Sequence, residues 1–202
     1  MPDRPGALGL VASRIGSVRG DIVGVGVLEQ GDGVVVDEFA VDLPSEDLIP
    51  VMLREIEEVD GASVEQVRIV RHFPDPRLDA LDTAAGLCEA DSESDLHRLL
   101  VSMVQAEFLA GWAALSRDGD VLASAGECPT AEVIAALVTG TAASPAVARG
   151  ETGPDDLALA TLPSHGATLL VGRDGHAFRR LERAQLLALA RIADRAWTLL
   201  ST

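Results

Sequence analysis

The sequence predicts an α+β chain built from two modules in series, and three observations carry the prediction. Apolar residues recur at three- and four-residue steps in some stretches and at alternate positions in others, so helices and strands are interleaved. A chain of 202 residues, 48% hydrophobic and 24% charged, has the composition of folded domains and more length than one small domain needs. The run Arg71-His72-Phe73-Pro74-Asp75-Pro76-Arg77 carries Pro74 and Pro76 and no period, which reads as a stiff linker. The expected division is residues 1–70, a linker over 71–77, and residues 78–202.

In the first module, residues 6–18 place Leu8, Val11, Ala12, Ile15 and Val18 on one helical face, with Asp3 as N-cap, Pro5 near the first turn and Arg19-Gly20 as the stop. Residues 21–30 and 33–43 alternate around Ile22, Val23, Val25, Val27 and Val34, Val36, Phe39, Val41. Gln30-Gly31-Asp32-Gly33 joins them as a tight hairpin. Ser45 caps a second helix with Leu48, Met52, Leu53, Ile56 and Val59, ended by Asp60-Gly61, in which Pro50 is costly unless the helix starts late. Residues 63–70, with Val64, Val67, Ile69 and Val70, close the module as a strand.

In the second module, residues 78–90 and 95–109 read as helices, the latter capped by Ser92 or Ser94. Residues 111–116 and 120–125 form a hairpin through Arg117-Asp118-Gly119-Asp120. Thr130 caps a short helix, and residues 140–154 are small and polar, the pattern of a long loop. Residues 156–162 and 168–172 are strands, and residues 179–200 are a closing helix with Leu186, Leu189, Ile192, Ala193 and Trp197 on its apolar stripe.

The order helix, strand, strand, helix, strand is a ferredoxin-like unit without its first strand. Asp3-Arg4-Pro5-Gly6-Ala7-Leu8, followed by a helix and Gly20-Asp21-Ile22, resembles the start of an ACT domain, a regulatory module of amino-acid metabolism. In that family a central strand precedes the turn, whereas here only Met1-Pro2 does. An upstream start is the favoured expectation, ahead of a strand supplied by another chain or a rebuilt sheet. The second module is similar to a GAF domain, a small-molecule sensor and dimerisation module, in its order of elements and in the ending Leu169-Leu170-Val171-Gly172-Arg173, Phe178, Leu181, Leu186, Leu189, Ile192, Ala193. The middle section that covers the ligand in that family is reduced here, and neither a cyclic-nucleotide signature nor a bilin-holding cysteine is present.

The turn at Asp3 is the leading site candidate. Backbone N–H groups around Gly6, Ala7 and Leu8 and the helix dipole favour a carboxylate, and Gly6 permits close approach. The ACT resemblance implies a free amino acid held between this turn, Asp3 and Arg4 included, and Asp21 and Ile22 of a partner subunit in a homodimer, with Asp21 on the ligand's ammonium group. The competing reading makes Asp3 a cap, Pro5-Gly6 a turn and Asp21 a strand entry.

Other chemistries find little support. All 16 basic residues are Arg, against 32 acidic ones, and the net charge of −16 repels nucleic acid and anionic membrane surfaces. The acidic excess is shared equally by the two modules. Cys88 and Cys128 have neither disulfide nor zinc spacing and read as buried, reduced thiols. His72, His97, His165 and His176 are scattered, with His97 beside Arg98 and off the apolar stripe, so no metal site is expected. Gly31-Asp32-Gly33, Arg117-Asp118-Gly119 and Arg173-Asp174-Gly175 read as turns, and Ser164-His165-Gly166 is no nucleophile elbow. Arg179, Arg180, Arg183, Arg191 and Arg195 give the closing helix a basic flank, solvated or facing an acidic partner subunit. No signal sequence or membrane span is read, which points to the cytoplasm. The expectation is a non-enzymatic, cofactor-free regulatory homodimer that binds a small metabolite and signals through a protein partner. The alternative is a ligand-free scaffold.

Overall fold

The structure, a computed structural model, describes residues 1–70, 76–150 and 152–201. The chain is a mixed α+β protein that divides into two compact units, Met1–Pro74 and Asp75–Thr202. Of the linker expected over residues 71–77, positions 71–75 lie outside the described residues and Pro76 already opens a helix.

The first unit contains α1 (Ala7–Ser17), β1 (Asp21–Gly31), β2 (Val34–Asp42), a single 3₁₀ turn (Glu46–Leu48) and α2 (Ile49–Glu57). β1 and β2 pair antiparallel, from Asp21 opposite Asp42 to Gly31 opposite Val34. Asp32 and Gly33 turn the chain with φ of 51° and 77°, the left-handed pair that a tight hairpin needs. Ser45 caps as expected, accepting from the Asp47 N–H. Pro50 falls in the first turn of α2, where its missing N–H costs nothing.

Two expectations for this unit are corrected. Asp3 does not cap α1: the N-cap is Gly6, left-handed at φ 89°. Residues 1–3 instead run beside β2. Met1 exchanges two 2.9 Å bonds with Val35, and the Asp3 N–H reaches the Gly33 carbonyl at 2.8 Å. Asp3 is thereby committed to the sheet, and the chain can turn into the helix only at Pro5-Gly6. Residues 63–70 form no strand either. A strand exists by pairing with a neighbour, and this segment lies along no strand; Arg68 meets Glu38 of the hairpin in an ion pair at 2.9 Å, and Val67, Ile69 and Val70 are exposed. The core is correspondingly small, with Val11, Ile15, Met52 and Val59 buried and Ile22, Phe39, Val41 and Ile56 packed partly against them.

The second unit contains α3 (Pro76–Cys88), α4 (Glu93–Glu107), β3 (Trp112–Arg117), β4 (Asp120–Gly126), α5 (Ala131–Ala142), α6 (Pro145–Ala148), β5 (Leu157–Leu162), β6 (Ala167–Gly172) and α7 (Arg180–Leu200). The four strands make one antiparallel sheet in the order β4-β3-β6-β5. Alternation along β3 and β6 assigns the two faces. Ala113, Leu115, Leu169 and Val171 join Leu87, Leu100, Val104, Leu186, Leu189 and Trp197 of α3, α4 and α7 in the main core. Ala114 and Leu170 point the other way and meet Ile134, Leu137 and Val138 of α5. Ser92 caps α4 through the Asp95 N–H. Thr130 stands at the N-cap of α5, but its hydroxyl turns to Glu132 at 3.2 Å and caps nothing. The long loop expected over residues 140–154 is shorter, because α5 runs to Ala142 and α6 adds a turn started by Pro145.

Gly172 marks a close approach between the sheet backbone and a ring. A Cβ there would stand 2.2 Å from the Trp112 ring. Gly172→Ala is expected to cost about 1–3 kcal/mol by overpacking, measured by urea unfolding; an unchanged midpoint shows that the Trp112 ring can move aside.

Candidate functional site

The predicted site residues lie at the two ends of one hairpin. Asp3 is at the turn end, where its carboxylate accepts from the Gln30 side chain at 2.8 Å. Asp37 shares that end: burial holds its carboxyl above the ordinary range, the Met1 ammonium group draws it back down and Asp3 raises it further. Arg4 reaches Asp60 only at 3.9 Å. Ala7 is buried and its N–H is taken by the Arg4 carbonyl at 3.2 Å. The N–H groups of Leu8 and Gly9 donate to no described group, which leaves the first turn of α1 able to meet an anion.

Asp21 and Ile22 are at the far end, Asp21 exposed opposite Asp42 and Ile22 packed against the small core. At about 3.3 Å per residue, Asp21 and Gln30 are separated by roughly 30 Å of strand. The two half-sites therefore do not form one cradle within a chain. Sequence reasoning missed Gln30, Asp37 and the Met1 ammonium group because their proximity depends on residues 1–3 lying beside β2.

In the second unit the titratable side chains gather around Trp197. His165 stacks on its ring with centroids 4.1 Å apart and planes 4° apart, His97 meets it edge-on at 4.0 Å, and Arg117 lies 5.4 Å from its centroid. His97, off the apolar stripe of its helix, is nevertheless only 8% exposed, because α7 brings Trp197 against that side of α4. Its Nε2 has no hydrogen-bond partner. Burial lowers its pKa, the nearby Glu93 opposes this, and Arg117 and His165 add to the lowering. Asp194 accepts from the Ser164 N–H at 3.3 Å and faces His165 Nδ1 at 3.1 Å. These bonds outweigh burial and hold its carboxyl below the ordinary range. A serine, a histidine and an aspartate thus meet, but both Ser164 and His165 turn to the carboxylate, so no base faces the hydroxyl as a catalytic triad requires.

The basic flank of α7 is not uniformly solvated. Arg183 is buried and donates to the carbonyls of Leu157 at 2.9 Å and Pro154 at 2.7 Å. Arg173, just after β6, is buried as well: it grips Glu182 with two 2.7 Å bonds and donates to the carbonyls of Phe108, His176 and Ala177. The Phe178 ring lies 4.0 Å from one guanidinium and 5.8 Å from the other. Neither thiol is fully buried: Cys88 is exposed and Cys128 half-buried, with burial raising the Cys128 pKa. Among the described residues no group of three His, Cys, Asp or Glu could hold a metal ion, and no helix is long and apolar enough to cross a membrane.

Comparison of the chain with protein-family models, with curated proteins and with solved structures finds no match in any of the three.

Two predictions follow from the second unit's polar groups. A histidine whose folded pKa lies below its unfolded value near 6.5 leaves the folded state with fewer bound protons, so stability falls as pH drops through that value. Asp194, lowered from about 3.8, adds a further loss in more acid solution. Urea unfolding at pH 7.5 and pH 5.5 should show the first loss and His97→Phe should flatten it; an equal loss in the variant places the titration elsewhere. Glu182→Ala strips the buried Arg173 of its counter-charge and is expected to cost about 3–5 kcal/mol, with Glu182→Gln recovering part. A loss below about 1 kcal/mol shows that the carbonyls alone satisfy the guanidinium.

Proposed function

We propose that the chain is a non-enzymatic regulatory protein that binds a small metabolite, a free amino acid by preference, at a homodimer interface of its ACT-like first unit. One observation carries the reading: the two half-sites lie at opposite ends of β1, and the outer edge of β1 has no partner among the described residues. Antiparallel pairing of β1 with β1 of a second copy brings each Asp21 beside the Gln30–Asp3 end of the other hairpin. The open N–H groups of Leu8 and Gly9 take the carboxylate, and Asp21 takes the ammonium group. Exposed Val23, Val25 and Val27 along this strand fit an edge that seeks pairing. The second unit is GAF-like in this reading and serves as the sensory or dimerisation module, with output through a protein partner.

A thermal-shift panel of the twenty amino acids on the full chain tests the proposal. One of them should raise stability, by about 2.7 kcal/mol at a hundredfold excess over its dissociation constant, with the effect lost in Asp21→Ala. A flat panel on a dimer favours the scaffold reading, in which the same edge pairs without ligand. A monomer by analytical ultracentrifugation overturns both.

A further inference from the structure

The second unit carries a groove that this reading does not use. It measures about 380 Å³ and runs between the end of α3 and the last turns of α7. Leu87, Ala90, Ile192, Leu199 and Leu200 give it an apolar lining, and Leu199 is 63% exposed. Arg191 and Arg195 stand in the same groove, one helical turn apart, and neither makes a hydrogen bond or ion pair with any described residue. Elsewhere Arg14, Arg68 and Arg173 each have a carboxylate. Two like charges at this spacing disfavour the helix, and an anion between them relieves the repulsion.

We propose that this groove binds a single-chain fatty acid, its carboxylate between Arg191 and Arg195 and its hydrocarbon over Ala90, Ile192 and Leu199. The volume is that of a small-molecule site, and the lining pairs an apolar run with two adjacent cations, which is the complement of an amphiphilic anion. The net charge of −16 disfavours an anionic bilayer as the source and leaves a free molecule. A single carboxylate feels mainly the two guanidiniums, because charges beyond about 10 Å are screened at 0.1 M salt.

Isothermal titration of the full chain with sodium dodecanoate below its micellar concentration tests the site, with butyrate and dodecyltrimethylammonium as controls. Dodecanoate should bind saturably at one site per chain, and neither control should. Arg191→Glu combined with Arg195→Glu should weaken binding by at least about tenfold, equivalent to ~1.4 kcal/mol. Leu199→Asp, which keeps both arginines, should do the same. Both variants are judged in protein that keeps the wild-type circular dichroism. The proposal is overturned by an absence of saturable binding, by equal affinity for the cationic amphiphile, or by a charge-reversed variant that binds as tightly as the native chain. It is equally overturned if the protein sediments with phosphatidylglycerol vesicles yet ignores free dodecanoate.

Discussion

A buried guanidinium sits where three parts of the second unit meet, and the arrangement of that unit depends on it. Arg173 leaves the end of β6, reaches the carbonyl of Phe108 at the end of α4, takes two carbonyls of the segment that follows it, and closes on Glu182 in the first turn of α7. Glu182 in turn accepts the Arg179 N–H at 2.7 Å, so one carboxylate both neutralises the guanidinium and starts the helix. Burying an arginine carries a desolvation penalty of several kcal/mol unless every N–H finds an acceptor. Here the acceptors come from elements far apart in the chain, which fixes the angle at which α7 returns across the sheet. Arg183, the next residue of α7, repeats the device and holds the entry to β5. Trp197 is then delivered against α4, and the His97–Trp197–His165 cluster follows from that delivery.

The first unit has no such lock. Among the described residues its sheet has two strands and its buried core is small, and residues 1–3 run along one edge of that sheet. Two-stranded sheets are marginal in water without further packing. The same openness that leaves the unit weakly closed leaves β1 free to pair with another strand. Low local stability and an unpaired edge are here one property seen twice.

Helices and strands were legible wherever the apolar period was long. The hairpin turns at Asp32-Gly33 and Asp118-Gly119 were legible too, because only certain residues tolerate two successive left-handed conformations. What misled was sequence pattern without tertiary partner. Residues 63–70 have strand alternation but pair with no strand, and His97 sits off the apolar stripe yet is covered by a tryptophan a hundred residues on. Asp3 has the chemistry of a cap, but the backbone ladder beside β2 claimed it first. In the sequence Arg173 belongs to a strand ending and Arg183 to a basic flank, and nothing local distinguishes an arginine that will be buried by distant carbonyls from one that stays in water.

That distinction reinterprets the charge. With twice as many acids as arginines, a surface arginine on this protein should find a carboxylate readily, and several do. The basic flank of α7 therefore separates into two kinds of residue. Arg183 is spent inward on carbonyl oxygens that no lysine could satisfy with the same planar geometry. Arg191 and Arg195 remain outward, unpaired in an acidic chain, beside exposed Leu199. Random placement in so acidic a chain tends to pair cations with acids. A bare pair on an apolar groove is the arrangement in which the missing counter-charge is expected from outside the chain.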